Sequence, residues 1–190
     1  MKKVFFLILF ISNNLFSQRS FLENVCPYNF NQIPKSKSTN IKYFIPCEWE
    51  EDMEVVMPDL LKQFKYVLED GSLLLHTIGL KELNVSMSND ELREFFVEET
   101  FKKVALKWGD YISGRRYKID GRYVGEIIVD SYTNMPIRYI RTIILYINYG
   151  TKLAVISFIA KSKSKSVTES LFNQYQPLFV YLFAKTKITL

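Results

Sequence analysis

IDGRYVGEIIVDSYTNMPIRYIRTIILYINYGTKLAVISFIA, residues 119–160, decides how the rest of the chain is read. Three runs rich in β-branched and aromatic residues, Arg122 to Tyr132, Ile137 to Ile147 and Lys152 to Ala160, alternate with turn chemistry. Asp120-Gly121, Thr133-Asn134-Met135-Pro136 and Asn148-Tyr149-Gly150-Thr151 are the turns, because Gly and Asn accept positive φ and Pro presets a bend. Connections this short join antiparallel neighbours, since parallel pairing needs a long crossover. Period-two reading puts Val124 and Ile128 on one face, Ile127 and Val129 on the other. Ile143, Leu145 and Ile147 likewise oppose Ile144 and Tyr146. Both faces are apolar, so each needs a cover.

The helices that would supply it lie on either side of the meander. Ser88 to Trp108 reads as one helix, opened by a Ser88/Glu91 capping box and carrying a stripe of Val97, Phe101, Val104, Ala105 and Trp108. Leu92, Phe95 and Phe96 fall off that stripe, where they either pack or form an aromatic patch for a partner. A last helix is expected after the basic loop Lys161 to Ser166, with a capping box at Ser166 and Glu169. Leu171, Tyr175, Leu178 and Leu182, flanked by Phe172, Phe179 and Phe183, form its buried face, and Pro177 should kink it near Asn173. Before the first helix, Ile41 to Pro46 is a short strand, Pro58 to Leu61 a turn or short helix, and Phe64 to Leu68 with Leu73 to Leu83 a hairpin across Asp70-Gly71. The fold class expected is α+β: an antiparallel meander between helices, as one domain over residues 40–190.

The chain has 190 residues, 48% apolar and 15% aromatic, enough to offset the entropy of one ordered domain. Lys2-Lys3, the eight-residue apolar run Val4 to Ile11 and the small residue Ser17 have the form of an export signal over residues 1–17. The alternative, an uncleaved anchor, would reach only about 12 Å of a hydrocarbon core of roughly 30 Å. The MKK start and Phe-Ser-Gln ending resemble Bacteroidetes signals, and a periplasmic or secreted location follows. Residues 18–39 read as an extended arm. No later run is long enough to span a membrane as a helix. The formal charge is +5, and without Lys2 and Lys3 there remain 23 basic against 20 acidic side chains, too balanced for a nucleic-acid partner. In an oxidising compartment Cys26 and Cys47 are expected to bridge, two free thiols being the alternative.

Chemistry-bearing motifs are few. The acidic run Glu48 to Glu54 lacks the spacing of a calcium loop and reads as a solvated turn, and His76, the one histidine, has no second histidine for a usual zinc site. No metal or cofactor is expected, and a half-buried, hydrogen-bonded His76 is. A carboxylate pair such as Asp110 with Glu126 is the nearest approach to a catalytic couple, though no spacing selects it, so the expectation is a protein that is not an enzyme. Arg115, Arg116, Lys118 and Arg122 gather near Tyr117 and Tyr123, the residue types with which polar interfaces hold carboxylates or sugars. These six are the candidate partner-binding residues. Solvated strand faces carry the same types.

Ile45-Pro46-Cys47-Glu48-Trp49, Lys118-Ile119-Asp120-Gly121-Arg122, Leu153 to Phe158 and the Phe172 to Phe183 helix follow one another in an order that resembles the PsbP-like superfamily, with its Mog-type and DcrB/LpqN-type members. The resemblance covers about residues 40–187 and is one of pattern. It implies an αβα sandwich and a non-catalytic accessory module. The function expected is therefore an exported module that binds an envelope or secreted protein. A carrier of a small apolar ligand, with a pocket between sheet and helix, is the alternative.

Overall fold

The computed structural model describes residues 23–29, 40–52, 59–83, 86–119 and 121–189. The signal-like segment 1–17 and most of the arm lie outside the described residues. In chain order the elements are β1 (Val25–Asn29), β2 (Asn40–Pro46), β3 (Glu50–Glu51), β4 (Leu60–Val67), β5 (Leu73–Glu82), α1 (Asn89–Phe95), α2 (Glu98–Ala105), β6 (Asp110–Ile119), β7 (Arg122–Asn134), β8 (Ile137–Tyr149), β9 (Lys152–Ser162), α3 (Lys165–Lys185) and β10 (Lys187–Thr189).

The meander forms as its turn residues require. Gly121 at φ +78° and Gly150 at φ +71° take the left-handed conformation that lets β6 turn into β7 and β8 into β9. The β7–β8 turn is tighter than the four-residue reading: pairing continues to Asn134↔Ile137 around Met135-Pro136, whose peptide bond is cis. The full sheet has seven antiparallel strands in the order β3-β4-β5-β9-β8-β7-β6. β4 begins at Leu60, where a turn or short helix was expected.

Alternation sorts the side chains of this sheet onto two faces. The front face carries Val124, Ile143, Leu145, Ile147, Ala154, Ile156 and Phe158, all buried against Leu171, Phe172, Leu178, Phe179 and Leu182 of α3. Each fully buried Val, Leu, Ile or Phe side chain among them contributes about 1.5–3 kcal/mol. A small sheet of order β1-β2-β10 adds Ile41, Tyr43 and Ile45 to the same core. The Cys26–Cys47 disulfide ties β1 to the end of β2, so part of the expected arm is a strand. Arg141 fixes α3 over β7 and β8: its fork donates to both oxygens of Asp130 at 2.7 Å and to Glu169 at 3.1 Å.

Two helix readings need correction. Ser88 to Trp108 is two helices, because Phe96 (ψ 67°) and Val97 (ψ 162°) leave helical geometry between them. The Ser88/Glu91 capping box is present. At α3 the expected Ser166/Glu169 box is absent: Ser164 is the N-cap without a side-chain cap, Ser166 lies inside the first turn, and Glu169 is drawn to Arg141. The basic loop shrinks to Lys163-Ser164, and α3 runs on through Pro177. Nor is the acidic run a simple solvated turn. Glu50–Glu51 pairs with β4, Glu51 accepts from Tyr28 Oη at 2.7 Å and is paired with Lys62, and Asp52 accepts from Gln63 at 2.9 Å.

Candidate functional site

The six candidate partner-binding residues lie along β6 and the start of β7, and strand alternation divides them. The register pairs Arg115 with Glu126, Arg116 with Gly125, Tyr117 with Val124 and Lys118 with Tyr123. Arg115 and Tyr117 therefore share the front face with Glu126, and Arg116, Lys118 and Tyr123 share the back face. Glu126 is buried, and Arg115 grips it with two parallel bonds, Nε to Oε1 at 2.7 Å and Nη2 to Oε2 at 3.0 Å. Tyr117 Oη adds a third at 3.1 Å. Burial, reinforced by the Glu126 charge, pushes the Tyr117 phenol up. On the back face Arg116 and Lys118 lie over the Tyr123 ring at 5.5 and 4.5 Å, and Arg116 also donates to the Arg93 carbonyl of α1. Arg122, at the strand end, lies 4.4 Å over the Tyr149 ring. The arginine fork that best suits a carboxylate is occupied by one of the protein's own.

The other candidates for chemistry are also placed apart. Asp110 pairs across the sheet with Asp130, well along the strand from Glu126. His76 is fully buried on the front face, edge-on to Tyr43 and Phe179. Its Nδ1–H donates to the Ser157 carbonyl at 2.8 Å, and burial lowers its pKa to about 4. It is more deeply placed than the half-buried histidine expected, because its strand position shares the front face with Leu74 and Ile78. Among the described residues no cluster of His, Cys, Asp or Glu has the geometry to hold a metal ion.

The back face holds the largest concavity described. α1 and α2 pack Leu92, Phe96, Phe101 and Ala105 onto Ile127, Val129 and Ile144 of β7 and β8. These helices are short, and the back face continues past them. Leu153, Val155 and Ile159 of β9 and Leu73 and Leu75 of β5 remain partly exposed there. Between the helices and this strip runs a groove of about 550 Å³, floored by Tyr146, Leu153, Val155 and Ile159 and walled by Phe95, Phe101, Val104 and Trp108. Trp108 Nε1 donates to Tyr146 Oη at 3.1 Å across one end, and burial pushes the Tyr146 phenol up to about 12. Phe95 and Trp108 stay 45% and 43% exposed, so two large rings line the opening where a fully packed helix would hide them. The lining also includes the polar side chains Asp59, Gln63, Thr77, Lys81, Thr100, Lys107 and Ser157. A volume of this size and apolar character suits an alkyl chain or an apolar peptide segment. The second apolar face was visible in the alternation of the sequence. That the helix breaks at Phe96 and leaves half of the face open was not, because one helix of the expected length would have extended farther across it.

No family profile and no curated protein matches the sequence. Among solved structures, the chain is similar to LpqN of Mycobacterium tuberculosis, a protein involved in cell envelope biogenesis, at TM-score 0.49 and 13% identity over 90% of this chain and 95% of that one. It is also similar to the Ran-binding protein Mog1p of Saccharomyces cerevisiae, at TM-score 0.47 and 11% identity over 86% and 96%. Likeness at this level bears on the fold and not on what the chain binds or does.

Proposed function

We propose that the protein is a non-catalytic binding module of an oxidising compartment outside the cytoplasm, and that the back-face groove takes an apolar chain. The observation that carries this is the groove itself: about 550 Å³ of concave apolar surface, beside large rings that remain exposed. Burying an alkyl chain there is favourable by about 0.8 kcal/mol for each methylene removed from water. The Cys26–Cys47 bridge supports the compartment, since disulfides persist where the surroundings are oxidising. Titration with decanol tests the reading through Trp108, which lines the groove, while Trp49 is buried in the other core. A saturable change in emission is expected, and Leu153→Glu, which places a charge in the groove floor, should abolish it. No saturable change with the wild-type chain would end the proposal.

A second reading, binding of a protein partner in the cell envelope, is favoured by one observation. Phe95 at the end of α1 and Trp108 just past α2 are 45% and 43% exposed, aromatic side chains of the type enriched at interfaces, and Leu106, which caps α2, is 82% exposed. One stoichiometric protein captured from envelope extract and released by Leu106→Asp would favour it.

A further inference from the structure

The floor of the groove is not uniformly apolar. Strand register sets its back-face side chains in rows, and Gln63, Thr77 and Ser157 lie side by side on β4, β5 and β9. All three line the groove. The next row toward one end holds Gly79 and Val155, with Leu153 beyond, and the next row toward the other holds Leu75 and Ile159. One polar band therefore crosses the open half of the floor, with an apolar row about 7 Å away along the strands on each side.

That band has a hydrogen to spare. Thr77 Oγ1 and Ser157 Oγ are hydrogen-bonded to each other, and either can be the donor. Each hydroxyl carries one hydrogen, so whichever accepts keeps its own. Neither hydroxyl has another hydrogen-bond partner among the described residues. Gln63 is engaged elsewhere, its Nε2 donating to Asp52 Oδ2 at 2.9 Å. Ser157 is buried and Thr77 half-buried. An apolar chain laid in the groove would cut the pair off from solvent. The spare hydrogen would then be left unpaired, at a cost, unless the chain itself carries an acceptor at that level.

We infer that the Thr77–Ser157 hydroxyl pair receives the carbonyl of a fatty-acyl ester, whose alkyl arms lie over the apolar rows on either side. The carbonyl oxygen accepts the spare hydrogen. An ester brings no donor and no charge of its own, either of which the apolar rows would leave unpaired. This rests on the groove binding an apolar chain and adds which polar group the chain carries and where.

The test compares two isomeric esters by Trp108 emission: hexyl hexanoate, with its carbonyl at mid-chain, and methyl undecanoate, with its carbonyl at one end. Hexyl hexanoate is expected to bind the wild-type chain about three- to tenfold more tightly, the worth of one hydrogen bond. This comparison needs no variant, so it stands even should a substitution disturb the fold. Thr77→Val with Ser157→Ala removes both hydroxyls together, a replacement close to neutral for folding, and should bring the isomers to equal affinity. Ser157→Ala alone leaves the Thr77 hydroxyl free to donate and should keep the preference. Equal binding of the isomers by the wild-type chain would overturn the ester site and leave the groove standing. So would a preference that survives the double substitution. Binding of decanol with neither ester bound would remove the ester site alone. Failure of all three compounds to bind would remove the groove reading, and the ester site with it.

Discussion

A Cβ placed on Gly125 would lie 2.5 Å from Cδ1 of Phe96, so the ring at the break between α1 and α2 fills the space that a side chain on β7 would take. Gly114 on β6 does the same for Phe101, whose Cδ2 would be 2.5 Å and whose Cβ 3.0 Å from a new methyl group. The two rings stack at 6.0 Å over these bare backbone patches. The helical pair is thereby seated close against one half of the sheet, and the groove is what remains over the other half.

Gly125→Ala is expected to lower stability by about 1–3 kcal/mol through overpacking. Gly114→Ala should cost more, since the clash there reaches Phe101 Cβ, which cannot swing away as a ring tip can. Phe96→Ala would cost about 3–5 kcal/mol alone. It should also abolish the cost of Gly125→Ala, because the methyl group then has room. Urea denaturation of the four-member cycle checks this, and simple additivity would show that the ring does not occupy that socket.

His76 makes stability depend on pH. Its Nδ1–H is committed to Ser157, so a second proton would go to a buried Nε2 that has no partner. Burial holds the folded-state value at about 4, against 6.5 for an exposed histidine. The unfolded chain therefore binds the proton first as pH falls. The stability is fully present above about pH 6.5 and is lost as pH falls toward 4, by about 3 kcal/mol in all. Denaturation at a series of pH values between 7 and 4 should show this loss, and His76→Phe should flatten it. Glu51, whose carboxyl is lowered, adds to the loss at lower pH in both proteins, so the difference between them isolates the histidine.

Arginine substitutions along β6 should separate by face. Arg115→Gln leaves the buried Glu126 with Tyr117 as its one remaining side-chain donor among the described residues, and a loss of about 2–3 kcal/mol is expected from breaking charge-assisted bonds. Arg116→Gln gives up an exposed bond to the Arg93 carbonyl and should change stability by less than about 1 kcal/mol. Thermal melts of the two variants would decide it. Equal effects would mean that Arg115 is not holding Glu126. Loss of partner binding on changing Arg115 would then need a stability control before it could be read as loss of contact.

Cys26 and Cys47 close a loop of 21 residues in sequence separation. Replacing both with serine should lower stability by about 3 kcal/mol through the regained entropy of the unfolded chain. Because β1, among the described residues, pairs with β2 alone, the loss should appear as earlier exchange of amide hydrogens in Val25–Asn29 and Asn40–Pro46, ahead of the seven-stranded sheet. Simultaneous loss of protection throughout would show instead that the small sheet is coupled to the whole core.

Local chemistry in the sequence was sufficient for the meander, the β4–β5 hairpin, the capping box at Ser88 and an apolar second face. These rest on periodicity and on turn residues, which act over a few neighbours and need no partner from afar. Three things depended on contacts between distant segments. The break at Phe96 requires Gly114 and Gly125, more than fifteen residues on, to supply a floor for the two rings. The division of Arg115 and Tyr117 from Arg116, Lys118 and Tyr123 follows from the strand's alternation, but the capture of Arg115 by Glu126 required the pairing register of β6 with β7. The hydroxyl pair of Thr77 and Ser157 exists only once β5 and β9 meet. Period-two and helical patterns state which side of an element is apolar; how far a neighbouring element reaches across that side is set by packing volume, and packing is decided in three dimensions.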